Sequence, residues 1–439
     1  MSAMCISTNA STERYSLRQA LTMGLAPDGG LLMPESLPRM PQAFLDSLPG
    51  MSFQEIAYAL GRALLGDLLD DGALRRLITE AFSFPLPLRR LSDKLSVLEL
   101  FHGPSLAFKD VGARFMAALL QELRALAAPE TTILVATSGD TGAAVAHAFY
   151  KRPGFRVVVL YPSKRISTLQ EQQIATLGGN VTAVEVIGTF DDCQRLVKQA
   201  LLDREINEQM DLSSANSINL ARLLPQIFYY FYALSQLPKD SLPVVFAVPS
   251  GNLGNLCAGL FAARMGLPHH KFVAALNANT ALKDFFSSGV LTPRPAQATI
   301  SNAMDVGNPS NMARIVHLYG ADLNLLRSDI AVSSHSDTQT RAALAELQQR
   351  YGYIADPHTA VGYLGAKEYA ADFSSAWHTV VLATAHPAKF AEALAGVVTL
   401  PTELPAALQA ARQGKKYSIL APPDFAAIKR ILLAESSSG

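Results

Sequence analysis

The chain is poor in cysteine: 439 residues hold three, Cys5, Cys193 and Cys257, with no CxxC pair. That excludes a disulfide framework and a thiolate zinc knuckle, and no metal site is expected. Neither charge is in excess, since 37 Lys+Arg balance 37 Asp+Glu. Nucleic-acid binding, which leaves a basic excess or stripe, therefore loses support. No run approaches about 18 uninterrupted apolar residues, so no membrane span is expected. The longest apolar segment, 227–237, is broken by Ser235 and Gln236 and flanked by Pro225 and Pro238. The N-terminus lacks the basic and apolar regions of a secretory signal, and Glu13 weakens the case for a transit peptide. The expectation is a cytoplasmic enzyme or binding protein.

What is present is apolar material, 49% of the residues against 17% charged. At roughly 100–200 residues per domain, that is enough for two or three cores. Up to about residue 90 the pattern is mostly helical, with helical spacing over 53–68 and 72–82 and one turn-dense loop, GLAPDGGL at 24–31. Short β-rich runs then alternate with helical stretches. The expected strands are 96–101, 132–137, 157–161, 181–186, 244–248, 272–277 and 379–383. They are near-continuous apolar runs, as in strands covered on both faces. Between them lie helices such as 111–126, where Val111, Phe115, Leu119 and Leu123 share one face. Such alternation implies parallel sheets and an α/β fold, with ligands near the C-terminal ends of the strands.

Three loops that follow expected strands carry the chemistry. In HGPSLAFKD (102–110), Lys109 sits between Phe108 and an amphipathic helix. Burial and a positive helix end both depress a lysine pKa, which an amine nucleophile needs. Taken alone, Lys109 reads more readily as a solvated first-turn lysine paired with Asp110. In TSGDTG (137–142), N–H groups at a helix start with the Ser138 and Thr141 hydroxyls could cradle a carboxylate or phosphate. Ordinary capping by Ser138 or Asp140 explains the same residues. In PSGNLGN (249–255), Gly251 and Gly254 permit an anion nest. The loop is neither GxxxxGK[ST] nor GxGxxG, so nucleotide hydrolysis and nicotinamide binding lose support.

Together these motifs resemble the fold-type-II pyridoxal-phosphate enzymes, the relatives of tryptophan synthase β, cysteine synthase and threonine dehydratase. GLAPDGGL, Asp140 where many relatives have Asn, and LATAHPAKF (382–390) resemble the threonine synthases within that group. The resemblance runs from about residue 14 to 430. It implies two parallel-sheet domains with a cofactor cleft between them and a mostly helical N-terminal domain. The implied boundaries are 1–90 for the helical domain, 91–130 with 235–439 for the large cofactor domain, and 131–234 for a small domain that closes on substrate.

The resemblance also implies roles. Lys109 would hold pyridoxal 5'-phosphate as a Schiff base and act as acid/base once displaced. Gly251, Asn252, Leu253, Gly254 and Asn255 would enclose the cofactor phosphate, and Thr384 would meet the pyridine nitrogen. Ser138, Gly139 and Thr141 would meet the substrate carboxylate, with Asp140 near the cofactor's phenolic oxygen. An acid at that last position must be neutral or counter-charged. A hydroxyl at Thr384 softens the electron sink compared with a carboxylate, which favours elimination over transamination. The implied reaction is O-phospho-L-homoserine plus water giving L-threonine and phosphate.

The substrate phosphate needs a cationic pocket of its own, and Lys164, Arg165, Arg222, Arg314 and Lys389 are candidates. Lys389 is the first choice because it lies beside a recognised motif. His386 reads equally as structural or pocket-shaping, whereas His102 and His147 read as structural. A serine/threonine dehydratase of the same fold and a catalytically silent amino-acid sensor are the rival readings. Oligomeric state is not legible.

Overall fold

The computed structural model describes residues 4–9, 12–125, 128–238, 243–320, 322–370 and 376–436. The N-terminal region is helical as expected but adds a three-stranded antiparallel sheet. Strand β1 (Met4–Ser7) lies between β2 (Arg14–Ser16) and β3 (Leu32–Pro34). Helix Phe53–Leu65 starts at a capping box, in which Ser52 and Glu55 satisfy each other's orphan groups. It buries Phe53, Ile56, Leu60 and Leu64 along one stripe and packs on helix Asp71–Ala81.

The chain then enters a larger sheet through β4 (Leu88–Ser92) and β5 (Leu95–Glu99). It leaves to build a second sheet from β6 (Thr131–Ala136), β7 (Phe155–Pro162), β8 (Val181–Val186) and β9 (Asp211–Ser214). It returns with β10 (Val244–Pro249), β11 (Lys271–Leu276), β12 (Ile330–Ser334) and β13 (His378–Ala383), and ends with β14 (Ile419–Ala421). The larger sheet is ordered β12-β11-β10-β13-β5-β4 and is parallel except for β4, which runs antiparallel to β5. The smaller is ordered β14-β8-β7-β6-β9 and is parallel throughout.

All seven expected strands exist, with ends shifted by one or two residues; β8 keeps its expected ends. Helix Lys109–Leu123 closes before the expected end, and Leu126 lies outside the described residues. The stretch 235–439 does not lie wholly with the larger sheet. Strand β14 pairs with β8, helix Ala406–Gln413 packs on Thr168–Ala175, and helix Phe425–Ser436 packs on Phe190–Leu202. Ile428 and Leu432 thereby enter the core that holds Val158, Leu160 and Val184. Burying these side chains away from water favours this placement. Among the described residues, no helix is long and apolar enough to cross a membrane. All three cysteines are buried and unpaired.

Candidate active site

Lys109 opens its helix because the preceding turn is pinned from two sides. The Phe108 N–H donates to the Thr384 carbonyl at 2.8 Å, and Ala107 bridges Ala385, so the lysine is tied to the strand end that carries Thr384. Asp110 folds back, accepting the Ser105 N–H at 2.9 Å. A side chain at Gly103 would put a Cβ 2.5 Å from the Asp110 carboxylate, so only glycine fits there. The Lys109 amine lies 4.9 Å over the Phe108 ring and 3.8 Å from Asp140 Oδ2. Burial depresses its pKa, Asp140 opposes that, and Lys389 and Arg222 reinforce it.

The loop after β6 spends part of its donor set internally: Thr137 Oγ1 accepts from the Gly139 N–H at 2.9 Å and the Gly142 N–H at 2.7 Å. Gly139 takes φ 126°, and a Cβ there would strike Gln170. Helix Asp140–Phe149 begins at this loop with no cap from Gly139, and since Thr137 takes the Gly142 N–H, the N–H groups of Asp140 and Thr141 are the ones left at the cleft lining beside Ser138. Asp140 is counter-charged. The Lys389 ammonium stands 2.6 Å from its Oδ1, which also accepts from Gln170 Nε2 at 2.9 Å. Burial raises the Asp140 carboxyl, but Lys389 and then Lys109 outweigh it and hold it well below the usual carboxylate range.

The third loop turns on Leu253, which sits in the left-handed region at φ 61° and releases helix Gly254–Arg264 without a side-chain cap. A Cβ on Gly251 would lie 2.7 Å from Met304 Cα, so the backbone approaches closely here. The Asn252 side chain is engaged at both ends: it donates to Ser217 Oγ at 2.8 Å and accepts the Ser310 N–H at 2.6 Å. Asn255 accepts from the Tyr229 and Tyr230 hydroxyls through Oδ1, and its Nδ2 is buried without a partner.

These elements line one cleft. Of the residues expected at the site, Lys109, Ser138, Asp140, Thr141, Gly251, Asn252, Leu253, Gly254, Asn255 and Thr384 line it. Gly139 and Lys389 do not; each stands one layer behind, Gly139 against Gln170 and Lys389 on Asp140. Among the candidate cations only Arg222 lines the cleft. Its Nη1 donates to the Ala215 carbonyl and its Nε is buried without a partner. Burial lowers its pKa to about 10, which leaves it cationic at neutral pH. Arg314 is wholly occupied by Leu32, Ser217, Ile218 and Asn311. Lys164 and Arg165 line a separate groove. His102 pairs with Glu99 at 2.7 Å, and His386 packs edge-on against Phe101.

Sequence reasoning missed Asn216, Ser217 and His358, which also line the cleft. Asn216 is locked to Ala136 by two hydrogen bonds of 3.0 and 2.7 Å, and Ser217 accepts from Asn252 and Asn311. His358 Nδ1 donates to Asp356 at 2.6 Å while Nε2 accepts the Ala303 N–H at 3.1 Å, which fixes its tautomer. The polar string at 213–219 and the Asp-Pro-His at 356–358 were the available signals, and neither has a spacing that names a chemistry.

An amine at Lys109, uncapped N–H groups at Gly254 beside an orphan amide, and a hydroxyl at Thr384 in one cleft make a donor set that fits pyridoxal phosphate. Residues 83–385 match the family described as pyridoxal-phosphate dependent enzyme. Residues 4–82 match the threonine synthase N terminus, and 359–432 the threonine synthase C-terminal region. Over 96% of its length the chain is 42% identical to the threonine synthase of Serratia marcescens and 41% identical to that of Escherichia coli, covering 97% of each. The chain belongs to the threonine synthase family. The crystal structure of the Escherichia coli threonine synthase superposes with TM-score 0.93 at 40% identity, covering 98% of this chain and 100% of that one. The pyridoxal-phosphate-bound threonine synthase of Brucella melitensis superposes with TM-score 0.91 at 34% identity, covering 100% of both chains. A tomato threonine deaminase, at 16% identity and TM-score 0.56, shares the fold alone.

Proposed function

We propose that this cleft converts O-phospho-L-homoserine and water to L-threonine and phosphate, with pyridoxal phosphate resident on Lys109, in the cytoplasm. The observation that carries the reading is one cleft holding a desolvated amine, two helix N-termini with N–H groups to spare and a buried arginine. A cofactor with an aldehyde and a phosphate, together with a substrate carrying a carboxylate and a phosphate, matches that inventory group for group.

The helix start at Gly254, with the Asn255 amide, holds the cofactor phosphate, and Thr384 meets the ring nitrogen. Bound there, the cofactor delocalises negative charge from the substrate carbons. Ser138 and Thr141 orient the substrate carboxylate at the other helix start, with Gly139 shaping that loop through its backbone. Arg222, with Asn216 and Ser217 beside it, grips the substrate phosphate through a charged donor fork and steadies it as it leaves. Lys109 Nζ, once free of the cofactor, takes and returns the α-proton. His358 keeps the turn at Ala303 seated over Gly251, which holds the cofactor loop in shape. We assign the moving lobe to the smaller sheet together with residues 406–436, whose closure excludes bulk water.

The test is phosphate release and threonine formation from O-phospho-L-homoserine, run beside ammonia release from threonine and a Lys109→Ala control. Phosphate and threonine from wild type alone support the reading. Ammonia from threonine without phosphate release would replace it with a dehydratase.

A further inference from the structure

Lys389 has no exposed side-chain surface and spends its ammonium on two partners, Asp140 Oδ1 at 2.6 Å and the Ser105 carbonyl at 2.8 Å. Gln170 donates to the same Asp140 oxygen. Only Oδ2 is left facing Lys109, at 3.8 Å. Asp140 and Gln170 come from the smaller-sheet lobe, Lys389, Ser105 and Lys109 from the larger one.

We propose that Lys389 is a positioning residue: it draws the Asp140 charge onto the oxygen remote from Lys109, and so leaves the Lys109 amine free to bond the cofactor. The inference rests on the reading of the cleft as a pyridoxal-phosphate site. Its physical basis is the low dielectric of the buried cluster, where an unneutralised carboxylate would hold a proton on the neighbouring amine. Lys389 neutralises that carboxylate and adds a like charge of its own. Both effects depress Lys109, in the same direction as its burial. The other charged groups that influence Lys109 are Arg222, which also disfavours a second cation, and Asp356, which favours one. Asp356 is already engaged by His358 and Thr359. Asp110 and His147 sense Lys389 from the helices beside it. The two partners of the buried pair therefore act on the lysine with opposite signs, so replacing each in turn moves the Lys109 titration in opposite directions.

The experiment uses the full chain stripped of cofactor, in wild type, Lys389→Gln, Asp140→Asn and the double variant. An amine-directed reagent, read at Lys109 by peptide mass spectrometry across pH, measures the amine's titration midpoint. Absorbance follows the rate at which added pyridoxal phosphate is captured. In Lys389→Gln the midpoint should rise by about one pH unit, making capture about tenfold slower at neutral pH. In Asp140→Asn the midpoint should fall, and the double variant should lie above Asp140→Asn and close to wild type. If Lys389→Gln does not fold, the comparison of the double variant with Asp140→Asn still measures the like-charge part of the Lys389 effect, and a midpoint that does not differ between them overturns the proposal. Midpoints that do not move, or that move the same way in both single variants, overturn the proposal. Wild-type protein that captures no pyridoxal phosphate at Lys109 instead overturns the cofactor reading, whatever the midpoints.

Discussion

Replacing Arg314 by Met separates a structural cation from a substrate-binding one. The guanidinium is buried and makes five hydrogen bonds: two to the Leu32 carbonyl at 3.2 and 2.8 Å, and one each to Ser217 O at 2.9 Å, Ile218 O at 2.5 Å and Asn311 Oδ1 at 2.7 Å. It staples strand β3 of the N-terminal sheet to the 217–218 segment and to Asn311, which in turn donates to Asn252. Met fills much of the same volume, so the cavity contribution is small. The dominant loss is three buried carbonyls deprived of charged donors, at roughly 1–3 kcal/mol each. With relaxation, about 4 kcal/mol is expected, a large fraction of the stability of a typical domain. Thermal melting of the holoprotein should fall by on the order of 10 °C. KM for O-phospho-L-homoserine, measured well below the new midpoint, should change less than about twofold, since nothing that grips the substrate is removed. Unchanged melting with a KM raised tenfold or more would refute the argument and make Arg314 the phosphate ligand.

Two further outcomes follow from the same geometry. Gly251→Ala places a Cβ 2.7 Å from Met304 Cα and 3.2 Å from the Ala303 carbonyl, both backbone atoms that His358 holds in place. Overpacking of this kind costs about 1–3 kcal/mol, and cofactor titration should show affinity reduced about tenfold or more; unaltered affinity would mean that the turn yields freely. Burial pushes the Asp110 carboxyl up to about 6 from the model-compound 3.8, the Ser105 contacts opposing that only in part. A folded-state pKa above the unfolded one means that the folded chain binds the proton more tightly. Stability therefore falls as pH rises from about 4 to 6, by roughly 3 kcal/mol at most for a shift of this size. Asp110→Asn keeps an acceptor for the Ser105 N–H, so it should raise the melting temperature at pH 7.5 and leave it unchanged at pH 4. An equal change at both pH values would exclude the ionisation of Asp110 as its cause.

The central strands were legible because burial on both faces favours a near-continuous apolar run, clearest in β7, β10, β11 and β13, while β5 and β8 are interrupted by Ser96 and Glu99 and by Thr182 and Glu185. Each strand of the two large sheets that escaped notice is an edge: β12 and β4 of the larger sheet, β14 and β9 of the smaller. An edge strand has one neighbour and an exposed flank, so residues such as Arg89, Arg90 and Asp211 can occupy it and the apolar signature disappears. The same distinction governs the site. Lys109 and the glycine loops were readable because their chemistry is compressed into a few consecutive residues at a strand-to-helix turn. The Asn216–Ser217 bridge, the His358 brace and the placement of Arg222, but not Lys389 or Arg314, in the cleft depend on pairs of residues tens to hundreds of positions apart. Charge and residue type alone did not rank those cations, and the neighbouring motif put Lys389 first. Their burial partners, which only the packed chain brings together, leave one of them with donor capacity in the cleft and commit the others elsewhere.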